Sequence, residues 1–117
     1  MSENINFTYQ SILNHILVVE ERMAGINKAA QLTGSKEAEF LLDAVTIRLQ
    51  AIGENVKRLV IKDPSLYTNH PEVAWDNIIK FRDFISHHYE LLDYETIFEI
   101  CKKFLPQLKS TIIKILK

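Results

Sequence analysis

Apolar side chains recur along this chain at intervals of three and four for most of its length. That interval gives one buried stripe on an α-helix and not the alternation of a strand. The first stripe, Ile12, Ile16, Val19, Met23, Ile26 and Ala30, predicts one long helix closed by Thr33-Gly34. Glycine suits the left-handed backbone that follows a helix. Ser35 is placed to cap a second helix, with Glu37 and Glu39 in its first turn. Its stripe is Leu42, Val45, Leu49, Ile52, Val56 and Leu59; Lys57, Arg58 and Lys62 fill its last turns and Pro64 stops it.

Gly53 interrupts this second helix. A glycine inside a helix costs about 1 kcal/mol relative to alanine, so close approach of another helix is expected there. Residues 63 to 73, with Pro64 and Pro71, form a connection. A third helix is expected from about Ala74 to His87, its apolar set being Trp75, Ile78, Ile79, Phe81, Phe84 and Ile85. Asp93 can cap a fourth, with Glu95 in its first turn and a stripe of Ile97, Ile100, Phe104, Leu108, Ile112 and Ile115. Pro106 falls inside that stripe and crowds the carbonyl of Lys102, so a kink is expected. Four amphipathic helices with short connections predict an all-α, antiparallel four-helix bundle, helices 1 and 2 forming an antiparallel pair. Residues 1–117 are expected to form one domain.

Composition narrows the class. Only 3 Gly and 3 Pro argue against a turn-rich β fold. A single cysteine excludes an internal disulfide and suits a reducing compartment. No apolar stretch approaches the roughly 20 residues of a membrane span, and Met1-Ser2-Glu3-Asn4 starts no basic-then-apolar leader. A cytoplasmic location is therefore expected. The net charge of -1 announces no nucleic-acid partner. The tail carries Lys102, Lys103, Lys109, Lys114 and Lys117 against Glu95 and Glu99, which reads as a solvated helix face or as a surface that tracks phosphates.

The compact chemical signal is Arg82-Asp83-Phe84-Ile85-Ser86-His87-His88-Tyr89. Arginine grips phosphate with a planar fork of donors, and histidine takes and gives protons near neutrality. A phosphate clamp beside a proton-transfer group suffices for metal-free RNA cleavage, in which the 2'-hydroxyl of the RNA is the nucleophile. On an ideal helix Arg82, Ser86 and Tyr89 share a face, while His87 lies about 140° from Arg82. One chain alone need not complete such a site. Other roles stay open: His87 as a core or helix-end histidine, Arg82 in an ion pair with Glu54 or with neighbours of Asp83, Tyr89 as a rim aromatic. Adjacent His87 and His88 point apart, Cys101 has no spaced partner, and His15 and His70 stand alone, so no metal is assigned and no cofactor is implied. Gly-rich phosphate loops, nucleophile elbows and paired metal-binding carboxylates are absent.

The segment Trp75–Tyr89 resembles the signature region of the HepT-like family, within the HEPN group of small helical proteins. That signature reads arginine, four residues, histidine, one residue, tyrosine, and Arg82, His87 and Tyr89 match it; Asp83 fits the polar residue that often follows the arginine. The tract Ile47–Leu59, with its Ile52-Gly53-Glu54 centre, is similar to the family's second helix, and Ile97–Leu108, with Pro106, matches its tail. The resemblance implies a homodimer whose two motif segments face one cleft. It implies a metal-independent endoribonuclease acting as a toxin, with RNA as substrate. It implies as partner a minimal nucleotidyltransferase antitoxin that transfers AMP to the motif tyrosine, here Tyr89. On this resemblance Arg82 would bind the scissile phosphate and His87 would serve as base or acid. Asp83 or Ser86 would orient them. His88 doubles the histidine, but the spacing favours His87. Two alternatives are a non-catalytic helical partner that presents substrate to a nucleotidyltransferase, and a structural dimerisation bundle.

Overall fold

The structure is a computed structural model that describes residues 3–87, 90 and 93–117. The described residues are helical, with no strand among them: α1 (Glu3–Arg22), a 3-10 turn (Ala29–Leu32), α2 (Lys36–Lys62), α3 (Leu66–Asn69), α4 (Trp75–His87), α5 (Tyr94–Glu99), a π-helical turn (Ile100–Phe104) and α6 (Leu105–Leu116). The all-α expectation holds, and these elements pack as a helical bundle. The long α2 is its spine, packed against α1 on one flank and α4 on another, while α6 returns against α1.

The second helix follows its sequence signals closely. Ser35 caps it, its hydroxyl accepting from the Ala38 amide at 3.1 Å. Val45, Leu49, Ile52, Val56 and Leu59 are buried, as their spacing predicts. They meet Tyr9, Ile12, Ile16 and Val19 of α1, and Met23 just past its end, in one core. His15 and Arg48 tie the same two helices at their edge, 3.1 Å apart. Burial, and then the Arg48 guanidinium, hold the His15 pKa below its ordinary value, which favours the neutral ring that can accept from Arg48.

The first helix departs from expectation. It ends at Arg22, not at Thr33-Gly34, and Ala30 is exposed while Leu32 is fully buried. Gly25 weakens the helix beyond that point. The Gln31 side chain then accepts from the amides of Asn27 (2.6 Å) and Lys28 (3.0 Å), satisfying groups that a helix would otherwise pair. Gly34 does take the left-handed backbone, with φ of 92°.

The connection expected at 63–73 contains the one-turn helix α3, with Leu66 buried. The Tyr67 hydroxyl donates to Asp76 at 2.6 Å, and the Trp75 indole donates to the His70 carbonyl at 2.9 Å. Together they fix where α4 begins. Phe84, expected in the apolar set of α4, is 40% exposed.

Asp93 caps α5 as expected, accepting from the Glu95 amide at 3.0 Å. The disruption expected around Pro106 takes the form of the π-helical turn just before it, and Pro106 enters α6 in its first turn, where its missing N–H costs little. At the wider turn one position of the buried stripe moves on by a residue. Leu105 is buried in place of Phe104, and Leu108 and Ile112 continue the stripe. Cys101 is buried among these side chains, and burial pushes its thiol up to about 12, so it keeps its proton at neutral pH.

Gly53 sits where α2 and α4 cross. A Cβ added there would collide with the Cβ of Arg82, stand 2.9 Å from its Cγ and 3.3 Å from the Ile78 carbonyl oxygen. Helix propensity alone favours alanine at this position by about 1 kcal/mol. Overpacking a close contact costs about 1–3 kcal/mol. Gly53→Ala should therefore lower stability in urea unfolding; a gain would show that the two helices can part freely.

Candidate functional site

The Arg82 side chain starts at that crossing. Because Gly53 presents no side chain, the arginine stem lies directly on α2 and its guanidinium meets the carboxylate one residue further on. Arg82 Nη2 forms an ion pair with Glu54 Oε2, and Nη1 donates to Asp83 at 3.0 Å. The side chain is 25% exposed, and its Nε is buried with no hydrogen-bond partner among the described residues. The stem and inner edge of the guanidinium are thus fixed, and a quarter of the surface faces outward. Asp83 also lies 4.0 Å from Lys57, and Glu54 lies 4.0 Å from Arg58. Among the described residues the cluster holds three cations and two carboxylates, a formal excess of one positive charge.

Of the residues singled out from the sequence, the structure brings Arg82 and Asp83 together. Ser86 lies one turn on, where its hydroxyl accepts from Gln50 at 3.0 Å, a second tie between α4 and α2. It therefore braces α4 on α2, and its partner is neither Arg82 nor His87. His87 is the last residue of α4 and is exposed. Five residues separate it from Arg82, about 7.5 Å along the axis and about 140° around it. Arg82 turns in toward α2 while His87 stands at the helix end. His88 and Tyr89 lie outside the described residues.

Sequence reasoning named Glu54 as a possible partner of Arg82 but missed Gln50 and Lys57. A signal was present. Gln50, Gly53, Glu54 and Lys57 step by three, one and three, a polar stripe beside the apolar stripe of α2. Such a stripe on a helix already committed to the core marks a second contact surface.

The other candidates have structural partners. His70 Nδ1 lies 3.4 Å from Glu72, whose Oε2 accepts from Thr111 at 2.8 Å. Lys109 pairs with Glu20 at 2.9 Å, Lys103 lies 3.8 Å from Glu99, and Lys102 sits over the Phe98 ring. These contacts favour the solvated-face reading of the basic tail. Among the described residues no group of three His, Cys, Asp or Glu could hold a metal ion, and no helix is long and apolar enough to cross a membrane. A cavity of about 260 Å³ lies between α2, α4 and the π-helical turn, walled by Leu49, Ile52, Ile78, Phe81, Ile100 and Phe104. It shares no lining residue with the Arg82 cluster.

Comparison with known proteins adds a family. The family described as Ribonuclease HepT-like matches residues 12–115. A Methanocaldococcus jannaschii protein named "Gamma-glutamylcyclotransferase and putative RNase" is 33% identical over 105 residues, 90% of this chain and 46% of that protein. The chain thus spans under half the length of that relative. A "Putative RNase" of the same organism is 36% identical over 68% of this chain and 67% of its own length. Another, from Caldanaerobacter subterraneus subsp. tengcongensis, is 30% identical over 74% of this chain and 80% of its own length. No solved structure matches.

The Arg82–Glu54 pair is partly shielded from water, so removing one partner costs about 1 kcal/mol, less than for a fully buried group. Glu54→Ala and Arg82→Ala should each destabilise the fold, and the double variant should lose less than their sum. A double-mutant cycle by urea unfolding should give a coupling of about 1 kcal/mol; additive losses would mean that the pair is not formed in solution.

Proposed function

Since this chain belongs to the HepT-like ribonuclease family, we propose that it is a metal-independent RNA endonuclease with Arg82 and His87 as its catalytic residues. The observation that carries the reading is the fixation of Arg82 at the α2–α4 crossing, at motif spacing from His87. A guanidinium held on two sides is pre-positioned, so little is lost in ordering it when a phosphate arrives. RNA phosphate is the ligand that suits its remaining outward donors. The names of the relatives, with RNase in each of the three, point to the same substrate.

In the proposed reaction the 2'-hydroxyl attacks the adjacent phosphorus. His87 takes the hydroxyl proton as general base, or gives a proton to the departing 5'-oxygen as general acid. The bond to the 5'-oxygen breaks, leaving a 2',3'-cyclic phosphate and a 5'-hydroxyl. Arg82 stabilises charge on the phosphoryl oxygens through the transition state. Asp83 positions Arg82, and Ser86 braces the last turn of α4 that carries His87. Arg82 and His87 of one copy diverge, and a homodimer of antiparallel four-helix bundles supplies the missing proximity across a shared cleft.

The same reading makes the chain, as a single cytoplasmic HEPN domain, the toxin of a pair with a minimal nucleotidyltransferase. AMP transferred to Tyr89 would put bulk and negative charge at the cleft and repel RNA. Tyr89 is assigned by its sequence position alone.

The test is a cleavage assay with purified protein, RNA and excess EDTA, with His87→Ala and Arg82→Ala beside the wild type. Wild type should give cyclic-phosphate ends. His87→Ala should lose about 10²–10⁴-fold in rate and Arg82→Ala about 10²–10³-fold. Unchanged cleavage by His87→Ala would overturn the catalytic assignment. An inert wild type that binds nucleotide through Arg82 would make the bundle a partner subunit instead.

A further inference from the structure

Among the described residues, three of the four most exposed large apolar side chains lie on one helix: Phe40 at 70%, Ile47 at 63% and Ile61 at 69%, all on α2. They are separated by seven and fourteen residues, so they share one face. Glu54 occupies the omitted seventh position, and Ala44, Ala51 and Arg58 fill the intervening positions four residues on. Phe40, Ala44, Ile47, Ala51, Glu54, Arg58 and Ile61 therefore form a heptad seam about 32 Å long. This seam faces away from the core stripe. The alanines on it let a second helix approach closely.

The charges of α2 say which helix fits. Apart from Lys36, the first turns are acidic, with Glu37, Glu39 and Asp43; the last turns are basic, with Lys57, Arg58 and Lys62. A helix of this polarity repels a parallel copy of itself and attracts an antiparallel one. We infer that the outer face of α2 is a self-association surface, on which a second copy of this chain packs its own α2 antiparallel about a two-fold axis near Gln50 and Ala51. In that register Phe40 meets Ile61 of the second copy, Asp43 meets Arg58, and Ile47 lies over Glu54.

This arrangement deepens the reading above, which called for a dimer but did not say by which face. Glu54 is the carboxylate that holds Arg82. The second copy therefore covers the Arg82 cluster with its Ile47, and the two clusters come within about 10 Å of each other along the seam. Each cluster is closed off from water on one side only when the pair forms.

Sedimentation velocity on the full chain tests the surface, and cleavage plays no part in the readout. Wild type should be a dimer. Ile47→Asp and, separately, Phe40→Glu should raise the dissociation constant at least 100-fold with helical circular dichroism retained. In a Cys101→Ala background, Phe40→Cys with Ile61→Cys should oxidise to a covalent dimer in dilute solution, while Phe40→Cys alone and Leu17→Cys should not. A monomeric wild type would overturn the inference together with the dimer of the functional reading. A dimer indifferent to both Ile47→Asp and Phe40→Glu would overturn the face alone, and self-linkage of Phe40→Cys alone would overturn the antiparallel direction. A dimer broken by these variants would stand even if the protein cleaved no RNA.

Discussion

The crossing of α2 and α4 at Gly53 is the contact on which the rest of the molecule depends. With a hydrogen in place of a side chain, Gly53 lets the stem of Arg82 lie against the α2 backbone. That approach puts the guanidinium within reach of Glu54, and brings Ser86 to Gln50 a turn further on. The same crossing seats Ile78 and Ile85 against the core, while Arg82 lies along α2 with a quarter of its side chain exposed. A helix that tolerates an interior glycine gives up local stability, and here it gains the position of a cation in return. Fold and site therefore share one constraint, and neither can be altered at residue 53 without the other.

Much of the fold was legible because periodicity reports burial. The α2 stripe, its Ser35 cap, the start of α4 near Trp75 and the Asp93 cap each follow from residues close together in sequence. The misses share a cause as well. The end of α1 at Arg22 depends on the Gln31 side chain reaching back to two amides, a competition that apolar spacing does not register. The helix α3 is held by Tyr67 reaching Asp76, nine residues on. The π-helical turn moves one residue of the stripe, replacing Phe104 by Leu105, because Pro106 breaks the regular ladder of backbone bonds.

The site was legible in its chemistry and less so in its geometry. Arg82, Asp83 and His87 stand out by residue type and spacing, and Gly53 by its misplacement. Their partners do not. Gln50 and Lys57 are ordinary polar residues of a helix until α4 is laid across them, and only then do they form the frame around Arg82 and Asp83. Ser86 could be placed on the Arg82 face from helix geometry, yet its hydroxyl serves the α2 contact. The divergence of Arg82 and His87, by contrast, was predictable from about 100° per residue, and the structure preserves it.

The most direct measurement is the single-turnover rate of RNA cleavage in excess EDTA by Gly53→Ala, taken well below its unfolding temperature. An added methyl group displaces Arg82 without removing any catalytic side chain. Gly53→Ala should fold and cleave about 10²-fold more slowly than wild type, since a misplacement near 1 Å is enough for such a loss. A folded Gly53→Ala protein that cleaves RNA at the wild-type rate would contradict the claim that the helix crossing sets the catalytic position of Arg82.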